Sequence, residues 1–259
     1  VPDVRTAAER DTSTEVLGVV AAHAAIVAVP VLVVALFFVP VLVAVVLAIV
    51  AAAAVTALRL RRVDDRLGAA MGAVRLPEGE RPRLESVAES VAMAVGVAPP
   101  ELFVIDEAAC NAVAWGIGNG PFRCAFTTGL LESMDRVELE AVVGHQLAVV
   151  REGGLPVVTI GTALFGPVAK GPLEGAIAWA VHRSIRARSV VVADLDGARA
   201  TRYPPGLVAA LEEIRGASTA MPTVPPTLSV LCFAAPTDAS GAFSVHPPVE
   251  DRIDLLREI

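Results

Sequence analysis

The hydrophobic pattern is dominated by one stretch. From Val16 to Leu58 there are 43 residues without a formal charge, and His23 is the only titratable side chain among them. One helix of that length would measure about 65 Å, roughly twice the hydrocarbon thickness of a bilayer, so two spans joined by a tight turn fit better. Phe37-Phe38-Val39-Pro40 is the expected turn, giving spans over 16–36 and 40–58, with Pro30 a candidate kink in the first. Residues 1–15 mix Asp3, Glu9, Asp11 and Glu15 with Arg5 and Arg10. They read as a frayed polar tail rather than the basic start of a signal peptide, so no cleavage is expected. His23 reads first as a helix contact or interfacial residue, with a buried functional histidine as the alternative.

Beyond the hairpin the pattern is that of a folded domain. Leu84, Val87, Ala88, Val91, Ala92 and Val95 recur at helical spacing and stop at Gly96 and Pro99-Pro100. Short buried strands are expected at 101–106, 112–116 and 122–127, the last two separated by the turn-prone Gly118-Asn119-Gly120-Pro121. A helix follows Thr128-Gly129-Leu130-Leu131, and another, amphipathic, runs from Val137 to Arg151. A second apolar region, 153–181, is interrupted by glycines and prolines and carries Lys170 and Glu174. Its uncharged arms, about 155–169 and 175–181, are short for full spans, so a membrane-dipping hairpin is preferred. Helices are expected over 189–198 and 206–215, then a loop over 216–241 with an apolar insert at 228–233, then a last helix after Pro247-Pro248.

Composition narrows the class. A hydrophobic content of 54% and a mean hydropathy of +0.63 exceed what soluble domains carry, so membrane segments are required. The net charge of -7 leaves no basic stripe for general nucleic-acid binding, and no nucleic-acid partner is expected. Cys110, Cys124 and Cys232 lack C-x-x-C spacing, implying neither a disulfide framework nor a zinc ribbon. Arg59, Arg61, Arg62 and Arg66 directly follow the second span, and Arg183, Arg186 and Arg188 follow the second apolar region. The positive-inside rule then places the downstream domain in the cytoplasm.

The candidate chemistry lies in His145-Gln146-Leu147-Ala148-Val149. It has the shape of H-E-x-x-H, in which two histidines one helical turn apart hold a zinc ion and the glutamate takes a proton from zinc-bound water. Here Gln146 cannot act as a base near neutral pH, and Val149 offers no lone pair.

The surroundings give the pentapeptide a context. Cys110-Asn111-Ala112-Val113, Thr127-Thr128-Gly129-Leu130-Leu131, the helix Glu138 to His145, and Val245-His246-Pro247-Pro248-Val249-Glu250-Asp251-Arg252-Ile253 stand in order between apolar segments. In this the chain resembles the HtpX-type membrane zinc metallopeptidases, relatives of the type I CAAX prenyl proteases. The resemblance covers nearly the whole chain. It implies an α+β, mainly helical, integral membrane protein with an N-terminal transmembrane hairpin and a zincin-like metallopeptidase-fold domain facing the cytoplasm. Its regions would be a tail over 1–15, the hairpin over 16–58, a peptidase-like first part over 63–152, a second membrane-associated hairpin over 153–182, and a peptidase-like second part over 183–259.

The resemblance also assigns residues. His145, Val149 and Val190 stand at the family's three metal-ligand positions and Gln146 at its general-base position, so neither a catalytic residue nor a resident metal is expected. Asp194 matches an aspartate that orients the first histidine, and His246 and Arg252 belong to the terminal signature in structural roles. Asn111, Ala112 and Val113 match the edge strand on which active members lay an extended peptide. The expectation is a catalytically inactive member acting at the inner membrane as a binding or scaffold subunit with a protein partner. The alternatives are an active zinc endopeptidase with substitute ligands from His182, Glu152, Asp196 or His246, and a purely structural subunit of a membrane complex.

Overall fold

The computed structural model describes residues 4–118, 120–151, 153–165, 188–222, 232–236 and 246–259. Two long apolar helices come first, α1 (Val4–Ala35) and α2 (Val41–Leu60). They pack as a hairpin around the turn at 36–40. Ser13–Ala35 and Val41–Leu60 are long and apolar enough to cross a membrane, with mean hydropathies of 2.5 and 2.9. Their apolar side chains point outward: Phe37 and Phe38 at the turn are 82% and 80% exposed, a surface that only lipid suits. The helix begins well before the first span, so the polar segment expected to fray is helical from Val4. Ala7, Ala8, Glu9 and Arg10 favour that state.

The sequence reading placed one helix, through Leu84 to Val95, between 63 and 98; a further short helix and a strand precede it. α3 (Val63–Ala70) ends at Met71, Gly72 turns the chain at φ +69°, and β1 (Ala73–Arg75) follows. Three residues are too few to show alternation, so only the left-handed glycine marked the break. α4 (Pro82–Val95) then starts on a proline and ends at Gly96 with φ +80°. β2 (Glu101–Ile105), β3 (Ala112–Trp115) and β4 (Arg123–Thr127) complete a sheet of order β1-β2-β4-β3. β2 and β4 are parallel, and both outer pairings are antiparallel. β3 therefore lies at one edge, yet Ala112 to Trp115 are all buried.

α5 (Thr128–Ser133) is capped by the Thr127 hydroxyl, which accepts from the Leu130 N–H. α6 (Arg136–Arg151) opens on a reciprocal cap. The Asp135 carboxylate accepts from the N–H groups of Val137 and Glu138 while the Glu138 carboxylate accepts from that of Asp135. α6 is the centre of the domain, packing against α4, β3, α8 (Arg188–Thr201) and α9 (Pro204–Gly216). α7 (Leu155–Phe165) leaves it to pack on the membrane hairpin, and α10 (Val249–Arg257) closes the chain against α9 and α8. The remainder of the expected second membrane hairpin, together with His182 and Glu152, lies outside the described residues.

The α6–α8 crossing depends on two glycines. A Cβ on Gly197 would stand 2.7 Å from the His145 nitrogen and 2.9 Å from the Gly144 carbonyl carbon, and one on Gly144 would stand 3.2 Å from the Gly197 oxygen. Backbone meets backbone here, so a methyl group cannot be absorbed by a rotamer change. Gly197→Ala should destabilise the detergent-solubilised protein by about 1–3 kcal/mol, read as a lowered thermal midpoint. Gly154→Ala, where a Cβ meets nothing within 4 Å, should leave that midpoint nearly unchanged.

Candidate functional site

The glycine crossing sets His145 of α6 opposite Asp194 of α8. The His145 Nδ1–H donates to Asp194 Oδ1 at 2.7 Å, which leaves the lone pair of the neutral ring on Nε2. Arg252, from α10, closes on the same carboxylate with both arms of its fork: Nε donates to Oδ2 at 2.7 Å and one terminal nitrogen to Oδ1 at 2.8 Å. All three side chains are buried. Burial pushes the Asp194 carboxyl up, but the Arg252 and His145 charges and hydrogen bonds outweigh it and hold the group down at about 2. His145 is shifted the other way. Burial lowers its pKa, and the Asp194 carboxylate only partly opposes that.

The Arg252 fork reaches further. Its second terminal nitrogen donates to the carbonyl of Phe233 at 2.9 Å, and its guanidinium lies 4.8 Å from the centre of the Phe233 ring. The same ring meets His145 edge to face at 4.7 Å. Phe233 belongs to the apolar insert that sequence pattern left in a loop. Residues 232–235 run against the outer edge of β3 and bend at Phe233 and Ala234; the Phe233 N–H donates to the Ala112 carbonyl at 2.7 Å and Val113 bridges Cys232 in antiparallel sense.

The site residues expected from sequence converge on this segment. The Asn111 amide donates to the Ala234 carbonyl at 2.9 Å and accepts from the Ala234 N–H at 3.1 Å. The same Asn111 oxygen accepts from the Ala112 N–H, and Thr127 fixes the Asn111 backbone from behind. The His246 Nε2–H donates to the Cys232 carbonyl at 2.6 Å, leaving a buried Nδ1 with no hydrogen-bond partner among the described residues. Burial lowers the His246 pKa to about 4, the Cys232 carbonyl opposing only in part. The edge at Asn111, Ala112 and Val113 is thus paired with the chain's own backbone.

The remaining positions carry no such partners. Gln146 is buried, and its amide nitrogen has no hydrogen-bond partner among the described residues. Val149 follows His145 by one helical turn on α6 and packs against the core, and Val190 precedes Asp194 by one turn on α8 and is 9% exposed. Asp196 faces elsewhere, pairing with Arg151 and Arg199. Among the described residues no group of three or more His, Cys, Asp or Glu side chains is placed to hold a metal ion. Cys110, Cys124 and Cys232 are buried, the thiols of Cys124 and Cys232 pushed up to about 12 by burial. His23 contacts Thr56 across the hairpin, Nδ1 to Oγ1 at 3.0 Å, and meets Phe165 of α7 edge-on. Phe233 and Thr127 are the participants sequence reasoning missed, and the apolar insert was the only signal for the first.

The model of peptidase family M48 matches residues 78–162, from the approach to α4 into α7. A protein described as Protease HtpX homolog from Listeria monocytogenes serotype 4b is 27% identical over 226 residues, covering 70% of this chain and 74% of its own. One of the same description from Tropheryma whipplei is 28% identical over 224 residues, covering 73% and 76%. A third, from Streptococcus equi subsp. zooepidemicus, is 26% identical over 220 residues. The chain is similar to peptidase family M48 over residues 78–162 and to HtpX-type proteins over some seven-tenths of its length.

The Asp194 cluster is the structural keystone of the α6–α8–α10 junction. Asp194→Ala should cost about 3–5 kcal/mol, because it strands the Arg252 charge in a buried site. Denaturant titration of the purified protein would read this loss, and the exposed pair Arg257–Glu212 should yield far less on Glu212→Ala.

Acid should act first through the imidazoles. Both fold-state pKa values lie below the ordinary histidine value of 6.5, so the unfolded chain takes up protons that the folded chain refuses. Stability is complete above 6.5 and falls as pH drops from 6.5 toward about 4. Asp194, held at about 2 against an ordinary 3.8, contributes a loss only below that window. The thermal midpoint should therefore decline between pH 7 and pH 4.5, and His246→Gln should flatten the decline, leaving the His145 share.

Proposed function

We propose that this HtpX-like chain works by binding rather than by cutting, as a catalytically inactive pseudopeptidase that serves other membrane proteins as a binding or scaffold subunit. The observation that carries the reading is the set of side chains around His145. Zinc is the metal the family implies, and a three-ligand site needs two further donors beside the His145 Nε2 lone pair. The helix turns that bring residues to that face supply Val149 from α6 and Val190 from α8, both hydrocarbon. Gln146, at the position where a base would deprotonate metal-bound water, carries an amide that neither accepts nor releases a proton near neutral pH. These residues do not fit a zinc ion, and no hydrolytic step is derived through one.

The setting supports a membrane client. Two apolar helices suit a membrane anchor, and Arg59, Arg61, Arg62 and Arg66 directly after the second favour a cytoplasmic position for the domain by the positive-inside rule. A domain held there meets the cytoplasmic segments of other membrane proteins at high effective concentration.

The deciding measurement is metal content after purification in mild detergent without chelator. The native chain should carry no zinc, and the combined variant Gln146→Glu, Val149→His, Val190→Glu should bind one zinc and cleave casein. Near-stoichiometric zinc in the native chain that disappears in His145→Ala would overturn the reading. Cross-linking in native membranes should then recover a membrane protein with the native chain.

A further inference from the structure

The segment Cys232–Ala235 is held as a ligand is held. A permanent strand of the sheet would be paired with β3 rung by rung, and among the described residues this segment makes a single bridge, Val113 to Cys232. The other bonds to its backbone come largely from side chains. His246 takes the Cys232 carbonyl, Arg252 the Phe233 carbonyl, Asn111 both groups of Ala234, and the Thr219 hydroxyl donates to the Ala235 carbonyl at 2.8 Å. Bonds to backbone are indifferent to sequence. One side chain is read: the Phe233 ring, fully buried in contact with the His145 imidazole and the Arg252 guanidinium. Its neighbours Ala234 and Ala235 are small enough to follow the edge closely.

We propose that Cys232–Ala235 is an internal occupant of a peptide groove: it sits on the β3 edge and fills the ring site beside His145 in place of an apolar segment of another protein bearing an aromatic side chain, and it must leave before such a client binds. The proposal rests on the binding reading above and adds its regulation and the chemistry of its client. It also accounts for Asn111, whose amide mimics a strand backbone at the point where the β3 ladder stops. An exposed strand edge invites pairing with any extended chain, and a self-ligand keeps it covered until a matching segment competes.

Geometry supplies a lock. The Phe233 N–H bonds the carbonyl of Ala112, next to Val113 rather than at it, so Val113 and Cys232 form a non-hydrogen-bonded antiparallel pair. In such pairs the side chains share a face and the Cα atoms lie about 4.5 Å apart, within disulfide reach. Cys232 already supplies one sulfur, and Val113→Cys supplies the other.

The test uses the full chain in nanodiscs and a fluorescein-labelled peptide, Ser-Val-Leu-Ser-Phe-Ala-Ala-Pro, which copies residues 229–236 with serine for the cysteine. Reduced Val113→Cys should bind it saturably, and oxidation should weaken binding at least tenfold, with reduction restoring it. Phe233→Ala, which vacates the ring site without touching the edge, should bind at least fivefold more tightly than the native chain. Thermal melts confirm that each variant is folded. Equal binding in the two redox states, or no binding by either reduced Val113→Cys or Phe233→Ala, would overturn the proposal. Failure of the binding reading looks different: the peptide displaces the segment, yet no membrane protein cross-links to the native chain.

Discussion

A single buried carboxylate joins three helices of the domain. Asp194 on α8 meets His145 on α6 and the fork of Arg252 on α10, and the same Arg252 reaches the backbone of residue 233. Each bond needs the others. An aspartate alone at this depth would be neutral, and an arginine alone could not be buried at all. Together they leave one satisfied network whose members fix each other's rotamers, which is the condition under which buried charge is tolerated. The close α6–α8 crossing at Gly144 and Gly197 is the steric half of the same constraint, because only backbones in contact bring His145 and Asp194 within 2.7 Å.

The larger elements were legible in sequence because their periodicities are long. The uncharged run from Val16 to Leu58 fixed the hairpin, and the strands around Ile105, Ala114 and Phe126 stood out between turn residues. The aspartate, the terminal histidine and the arginine were legible only through resemblance. Nothing in the spacing of residues 145, 194 and 252 announces that they touch, since contact follows from helix crossing rather than from period. β1 escaped because three residues carry no alternation. The position of Phe233 escaped because an apolar insert in a Pro-rich and Ser-rich loop reads equally as core filler, and only the pairing with β3 shows which edge it covers.

The edge strand joins the two halves of the molecule's chemistry. Its inner side pairs with β4 in regular register, from Ala112 opposite Phe126 to Trp115 opposite Arg123. Its outer side is closed by unlike means along its length: the 232–235 segment at one end, and at the other the hydroxyl of Thr159 on α7, which accepts from the Gly116 N–H at 3.1 Å. Sheet edges are commonly blunted by charge or proline. Here the blunting comes from elements distant in sequence, so the state of the edge reports on how those elements are packed.

That second closure has a mechanical side. α7 carries Thr159 against β3 and, less than two turns later, Phe165 against His23 in the middle of the first membrane helix. On the other flank, the indole of Trp115 donates to the Asp64 carbonyl just past the exit of α2, at 3.0 Å. The end of the edge strand is therefore tied to the first leg of the hairpin through α7 and to the second through α3, which a two-residue turn joins to α2. Helices tilt to match the thickness of the bilayer around them, and these contacts tie the end of the strand Ala112–Trp115 to the two helices that would tilt.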